Sequence, residues 1–105
     1  MVQKENLKIV EGFRDRLLKR IGGLKLVLFG SRAGDDFSEE SDFDLIVVSD
    51  DFEKKDMIKR CALLYGDWDY NFAVDFICYT PKEFDENKNR VSLVSEALKK
   101  GVVIK

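Results

Sequence analysis

Histidine is absent from this chain of 105 residues, and cysteine and proline are scarce, with two and one respectively. Without an imidazole there is no Ser-His-Asp or Cys-His nucleophile system, no histidine-ligated metal and no imidazole acid or base near neutral pH. Any chemistry must therefore rest on carboxylates, lysine, tyrosine, hydroxyls, thiols or a bound metal.

Long apolar runs are also missing. The first residues do not form the apolar core of a signal peptide, and no run approaches the roughly 20 residues that cross a bilayer. We therefore expect a cytoplasmic protein with no membrane partner. Cys61 and Cys78 are 17 residues apart and lack CxxC spacing. A disulfide or a metal site stays open as an alternative, and we favour two reduced, buried thiols.

Composition predicts one folded domain spanning residues 1–105. Hydrophobic residues make up 45% of the chain, which is enough to fill one core. The formal net charge of −2 argues against strong nucleic-acid binding through bulk charge. The net charge does not exclude a nucleotide as ligand, because bound metal ions can neutralise its phosphates locally.

Periodicity predicts alternating helices and strands. The apolar pattern of a helix recurs over about residues 3–21, and Thr80 to Glu83 has the form of a capping box. The full expectation is helices at 3–21, 31–33, 53–65 and from 80 to about 100, with strands at 24–29, 42–48, 71–79 and 102–104. In the third helix we expect Met57, Ile58, Cys61, Ala62 and Leu64 to face inward, and in the last one Val91, Val94, Ala97 and Leu98. This order predicts an α/β or α+β fold with a small mixed sheet flanked by helices.

Acidic residues are concentrated in one segment. Residues 35–51 hold no lysine or arginine and eight acids, namely Asp35, Asp36, Glu39, Glu40, Asp42, Asp44, Asp50 and Asp51. We interpret the first four as a solvated loop. That interpretation fails for Asp42 and Asp44, because they stand within an apolar strand pattern.

Two aspartates at i and i+2 of a strand point to the same face, and burying them is costly unless a cation compensates. Oxygen ligands suit Mg²⁺, which typically takes one or two carboxylates together with substrate phosphates. Asp75 lies midway along another apolar strand pattern, and on a neighbouring strand it would complete a carboxylate cluster. Taken singly, Asp42-x-Asp44 is also compatible with ordinary cap or turn residues at a strand start, and Asp75 alone is a similarly weak signal, although an acid midway along an apolar strand is unusual.

Gly30-Ser31 follows the strand at 24–29 and opens a short helix. Such a junction is often a simple helix cap, and it is also suited to phosphate. Arg32 could supply charge to a triphosphate or a salt bridge to the acidic loop, and both roles stay open.

Two segments carry the most specific pattern of the chain: residues 28–33 (Leu-Phe-Gly-Ser-Arg-Ala) and residues 41–47 (Ser-Asp-Phe-Asp-Leu-Ile-Val). Together they resemble the signature of minimal nucleotidyltransferases of the DNA polymerase beta superfamily. The spacing of 12 between Gly30 and Asp42 agrees with that signature, and Asp75 stands where the third acid of the family falls. The resemblance implies a polymerase beta-like nucleotidyltransferase fold. It also implies transfer of a nucleoside monophosphate from a nucleoside triphosphate (NTP), such as ATP, to a hydroxyl.

Carried over by residue, the resemblance implies that Gly30 and Ser31 hold the β- and γ-phosphates, with Arg32 nearby. Asp42, Asp44 and Asp75 would be catalytic and would ligate two Mg²⁺ ions, with Mn²⁺ as a substitute. Asp75 would also help deprotonate the acceptor. Many small members are antitoxins paired with a HEPN-domain toxin ribonuclease, and some transfer AMP to a toxin tyrosine, so we expect such a partner.

One departure from the family pattern matters. The signature commonly continues Arg-Gly after Ala33, whereas Gly34-Asp35 follows here. This motivates the alternative that the chain is a weak or inactive enzyme that neutralises its toxin by binding alone. Transfer to an antibiotic or an RNA end is disfavoured, because relatives of that kind carry additional domains.

The small size implies that the acceptor is brought by another chain or by a second copy in a homo-oligomer. Trp68 and Tyr70 could mark the surface that contacts this acceptor, although we favour the interpretation that they pack at the edge of the core.

Overall fold

A computed structural model of the protein describes residues 2–35, 37–88 and 93–104. None of the helices in these ranges is both long and apolar enough to cross a membrane. Short 3-10 turns lie at Ser31–Ala33 and Asp50–Phe52. In chain order the longer elements are α1 (Lys4–Leu17), β1 (Lys25–Phe29), β2 (Phe43–Val48), α2 (Met57–Tyr65), β3 (Val74–Tyr79), α3 (Pro81–Lys88), α4 (Leu93–Lys100) and β4 (Val102–Ile104).

The four strands form one mixed sheet in the order β3-β2-β1-β4. β1 runs antiparallel to β2 and β4, whereas β2 and β3 are parallel. The α/β prediction with a small mixed sheet is therefore confirmed. β1 and β2 are the inner strands and are covered on both faces, which explains why residues 26–28 and 45–47 are continuously apolar and buried.

Helices cover the two faces of the sheet unequally. On one face, Phe13 and Leu17 of α1 belong to the same buried cluster as Leu28, Leu45 and Val47. On the other face, helices α3 and α4 contribute Phe84, Val94 and Ala97 to a smaller cluster with Val27 and Ile46. Because strand residues alternate, Asp44 belongs to the second face. It lies beyond the part of that face that the smaller cluster covers.

The predicted capping box at the start of α3 is confirmed. The Glu83 carboxylate accepts from the Thr80 amide at 2.8 Å, and the Thr80 hydroxyl accepts from the Glu83 amide at 3.2 Å. The expected single last helix is instead described as α3 and α4, with residues 89–92 outside the described ranges. Val94 and Ala97 are buried as predicted, Leu98 is partly buried, and Val91 lies outside the described residues.

Two helix predictions were wrong in their bounds. α1 ends at Leu17, and Ile21 is buried in the turn that follows. The helix expected at 53–65 begins at Met57, because the Asp56 side chain caps it by accepting from the Lys59 amide at 2.9 Å.

The inward face of α2 was only partly predicted. Leu64 is buried as expected, but Met57 and Ile58 are 44% and 82% exposed, and Ala62 is exposed as well. Arg60, which was not expected to face inward, is buried. Cys61 is partly buried. Arg60 takes an inward position because its guanidinium donates to the buried Phe52 and Cys78 carbonyls.

Candidate active site

The candidate site is built on two neighbouring strands. Asp44 of β2 and Asp75 of β3 are register partners across the parallel pair, so the two side chains project from the same face of the sheet. Asp42 lies two residues before Asp44, immediately ahead of β2. The expectation that Asp75 lies on a strand next to Asp44 is therefore confirmed.

The carboxylates repel one another. Burial raises the pKa of Asp44 above its ordinary value of 3.8, and the neighbouring charges of Asp75 and Asp42 raise it further. Asp44 is half-buried, whereas Asp42 and Asp75 are exposed. The site therefore carries concentrated negative charge that a bound cation would neutralise.

The donor set fits a hard cation that is completed by a ligand. Within the described ranges, no three acidic, thiol or imidazole side chains are already arranged as a metal cage. Mg²⁺ does not require such a cage, because it commonly takes one or two carboxylates and fills its other positions with water and substrate phosphates. Asp42, Asp44 and Asp75 supply only oxygen ligands, and burial together with the charges of Asp75 and Asp42 raises the pKa of Asp44.

Gly30 is held directly against this cluster. Its φ of +73° lies in the region that favours glycine, and a Cβ built at this position would collide with the Asp44 carboxylate. The following turn is closed by the Ala33 amide, which donates to the Gly30 carbonyl at 3.1 Å. Ser31 is exposed at the start of that turn. Gly30, Ser31 and Asp44 thus form one continuous surface.

Arg32 points away from solvent and is only 3% exposed. Its Nε donates to the Ser41 carbonyl at 3.0 Å and its Nη2 to the Glu39 carbonyl at 3.1 Å. Its Nη1 donates to Asn6 Oδ1 at 3.1 Å. The guanidinium therefore joins the Ser31 turn, α1 and the loop that enters β2. It binds carbonyls of the acidic loop and not the carboxylates that the sequence suggested.

Three aromatic rings enclose the same guanidinium. The ring centroids of Phe37, Phe43 and Phe72 lie 4.8, 4.6 and 4.7 Å from Arg32 Cζ. Cation–π contacts of this kind stabilise a desolvated arginine. The geometry therefore favours a structural role for Arg32 over the predicted contact with a nucleotide.

Asn6, which the sequence analysis did not single out, anchors this arrangement. It is 2% exposed, and its Nδ2 donates to the Arg32 carbonyl at 3.4 Å. The sequence did contain a sign that Asn6 is buried. Asn6 precedes Val10, Phe13 and Leu17 at helical spacing, so it belongs to the buried stripe of α1. A polar residue in such a stripe needs a specific partner.

Trp68 and Tyr70 pack at the edge of the core, which confirms the favoured interpretation. The Trp68 ring lies 5.2 Å from those of Phe13 and Phe43, and 5.0 Å from that of Tyr70. A cavity of about 350 Å³ is lined by residues 68–72, and another of about 420 Å³ opens beside Arg32. Asp42, Asp44 and Asp75 line neither of these two cavities.

A carboxylate cluster beside a glycine-serine turn is an arrangement suited to an enzyme that handles a metal-bound phosphate ester. The chain matches the family model of the nucleotidyltransferase domain over residues 8–104, and it belongs to that family. Membership supports nucleotidyl transfer as its class of activity.

The fold is similar to that of a crystallised, provisionally assigned nucleotidyltransferase from Sulfolobus solfataricus, with a TM-score of 0.67 and 22% sequence identity. The similarity covers 94% of this chain and 78% of the Sulfolobus chain. No curated protein sequence matches the chain.

Proposed function

We propose that this chain is a metal-dependent nucleotidyltransferase that moves a nucleoside monophosphate, AMP in the first instance, from an NTP to a hydroxyl of a partner protein. The observation that carries the proposal is the pairing of Asp44 with Asp75 across β2 and β3, directly beside Gly30. Family membership supplies the class of reaction, and this surface supplies residues suited to it.

Gly30 and Ser31 would hold the β- and γ-phosphates. The missing side chain at Gly30 leaves room for the Asp44 carboxylate, which keeps this turn beside the metal-binding residues, and the exposed Ser31 hydroxyl can donate to the phosphates. Asp42, Asp44 and Asp75 would hold two Mg²⁺ ions, with Mn²⁺ as a substitute. When bound, such ions neutralise phosphate charge and orient both oxygens of an in-line displacement.

In the transfer step, the acceptor oxygen bonds to the α-phosphorus as the bond from that phosphorus to the bridging oxygen breaks. The leaving group is pyrophosphate. The acceptor loses its proton, for which Asp75 is the proposed base because it is exposed and lies beside Asp44. Since the chain has no histidine, a carboxylate beside the metal-binding residues is the group proposed for this role.

Arg32 in this proposal positions the site without touching the nucleotide. Its side chain bonds the carbonyl of Ser41, the residue just before Asp42, while its own backbone lies next to Ser31. It therefore sets the distance between the phosphate-binding turn and the metal-binding strand.

The exposure of Asp42 and Asp75 supports a macromolecular acceptor. Small-molecule sites usually enclose most of their ligand, whereas these carboxylates stand on an open surface. Together with the minimal-nucleotidyltransferase motif, this supports a HEPN-domain toxin as the acceptor, modified on a tyrosine, with the chain acting as its antitoxin.

The direct test is to incubate the chain with Mg²⁺, each of the four NTPs and a candidate HEPN-domain toxin, and then to measure intact masses. We expect the mass of one nucleoside monophosphate to be added to the toxin by the native chain and not by Asp44→Asn. An unmodified toxin with all four NTPs, from chain shown to be folded, would contradict the proposal.

Gly34-Asp35 in place of the usual Arg-Gly favours a second candidate, neutralisation by binding alone. The same variant separates the two. If Asp44→Asn still protects cells from the toxin, binding accounts for the antitoxin effect. If protection is lost while the complex still forms, catalysis accounts for it.

A further inference from the structure

Helix α2 closes the outer edge of the sheet. β3 is the terminal strand on that side, and its outward carbonyls would otherwise be open to pairing with another chain. Arg60 Nη1 donates to the Cys78 carbonyl at 3.1 Å, and the Cys61 thiol points to the Phe76 carbonyl at 3.7 Å. Successive residues of α2 thus cover successive outward carbonyls of β3.

This packing brings together the two cysteines of the chain. Cys61 and Cys78 are 17 residues apart in sequence, yet their sulfurs lie 3.9 Å from each other. Both are free thiols; Cys78 is buried and Cys61 is partly exposed. Cys61 is therefore the more exposed residue of the pair, and its sulfur stands next to that of Cys78.

We propose that Cys61 and Cys78 form a modification site, at which a peroxide joins them in an intramolecular disulfide. A disulfide bond is about 2.05 Å long, so the sulfurs must approach by about 2 Å for the bond to form. The proposal is independent of nucleotidyl transfer.

The reaction runs in two displacements. The Cys61 sulfur attacks hydrogen peroxide, the O–O bond breaks, and the products are a Cys61 sulfenic acid and one water. The Cys78 sulfur then attacks the sulfur of that sulfenic acid, and the hydroxyl leaves with the Cys78 proton as a second water. Overall two thiols are oxidised by two electrons and one peroxide is reduced.

The order of attack follows from the surroundings of each sulfur. Burial and the adjacent Cys61 thiol raise the pKa of Cys78, so its thiolate is scarce. Cys61 is partly exposed and reacts first. Because the two sulfurs are in contact, attack by Cys78 on the Cys61 sulfenic acid competes with further oxidation of that sulfenic acid by peroxide.

The cross-link would fasten α2 to the strand that carries Asp75, three residues before Cys78. It closes a loop of 17 residues, which restricts the unfolded chain more than the folded one. The oxidised protein should therefore unfold at a higher temperature than the reduced protein.

The test treats the folded full chain with one equivalent of hydrogen peroxide and measures free thiols, intact mass and oligomeric state. Trypsin leaves both cysteines in one peptide, because no lysine or arginine lies between them. A protease that cleaves before aspartate separates them at Asp67, Asp69 and Asp75. Cys61→Ser and Cys78→Ser are the matched controls.

We expect a monomer that has lost two hydrogens and both free thiols, with Cys61 and Cys78 fragments linked until dithiothreitol is added. Its unfolding midpoint should rise by several degrees, and neither serine variant should show the rise. Three outcomes would each overturn the proposal: oxidation of Cys61 alone to a sulfinic acid, linkage only between chains, or a monomer that keeps both free thiols.

Discussion

Asp44 and Asp75 occupy the same register position on the parallel strands β2 and β3, and both project from the face of the sheet on which α3 and α4 pack. Burial and the charges of Asp75 and Asp42 raise the pKa of Asp44, which means that its ionised form is disfavoured in the folded chain. The site therefore lowers the stability of the metal-free protein. Such a cost is common where a fold is arranged for ligand binding.

Replacement of this carboxylate should stabilise the metal-free chain. The pKa of Asp44 is raised by folding, so its favourable contribution is present below about pH 3.8 and is lost as the pH rises through the raised value. At pH 7 with EDTA, Asp44→Asn should raise the free energy of unfolding by about 0.5 kcal/mol, after allowance for screening by solvent. Denaturant titrations at pH 3 and pH 7 measure the difference.

The control for this prediction is Asp69→Asn, because Asp69 is exposed in the loop after α2. Equal effects of the two variants at pH 7 would argue against crowding of charge at Asp44.

A side chain at residue 30 should disrupt the site. Gly30→Ala forces a residue with a Cβ into positive φ and places that Cβ against the Asp44 carboxylate. We expect a loss of about 1–3 kcal/mol in the free energy of unfolding and loss of nucleotide binding. Gly34→Ala is the matched control, because Gly34 has an extended φ of −126° and open space at its Cβ. Similar losses in both variants would contradict the specific contact.

Arg32→Lys tests the positioning role. Lysine keeps the charge but cannot donate in the three directions that reach Asn6, Glu39 and Ser41. We expect about 1–3 kcal/mol of lost stability from unsatisfied buried groups, with kcat reduced more than the KM for the NTP is raised. Asn6→Ala, which removes only one of these partners, should show a milder form of the same pattern. A selective rise in the KM for the NTP with unchanged stability would instead indicate phosphate contact.

Glu83 should show the opposite pH dependence from Asp44. The hydrogen bond from Arg60 lowers the pKa of Glu83, so its contribution is present above about pH 4.5 and is lost as the pH falls through the lowered value. Glu83→Gln keeps the cap but loses the ion pair, and it should cost about 0.5–1 kcal/mol at pH 7. The difference in the free energy of unfolding between the native and variant chains should become smaller below pH 4, as measured by denaturant titrations. A gap that is constant with pH would contradict the ion pair.

Some features were predictable from the sequence because they depend only on residues that are close together in the chain. The capping box at Thr80 and Glu83 needs only residues three apart, so its pattern is sufficient. The alternation around Asp75 likewise shows which face it occupies. Met57 and Ile58 were misassigned because apolar residues nearly fill α2, and periodicity does not then fix which of them face the sheet.

Long-range contacts account for what the sequence did not reveal. Arg32 could be read as a ligand or as a structural residue because its enclosing rings, Phe37, Phe43 and Phe72, come from three separate segments. The contact between Cys61 and Cys78 depends on how α2 lies along β3, which spacing alone does not set.

Binding of NTP by the chain alone tests the central claim most directly, because it needs no acceptor. Titrate a non-hydrolysable ATP analogue into the native chain and into Asp44→Asn by calorimetry, with Mn²⁺ and with EDTA. The account predicts that the native chain binds the analogue at least tenfold more tightly with Mn²⁺, and that Asp44→Asn abolishes this gain. Equal affinity with and without metal, or an unchanged gain in Asp44→Asn, would contradict a carboxylate site that binds metal and nucleotide together.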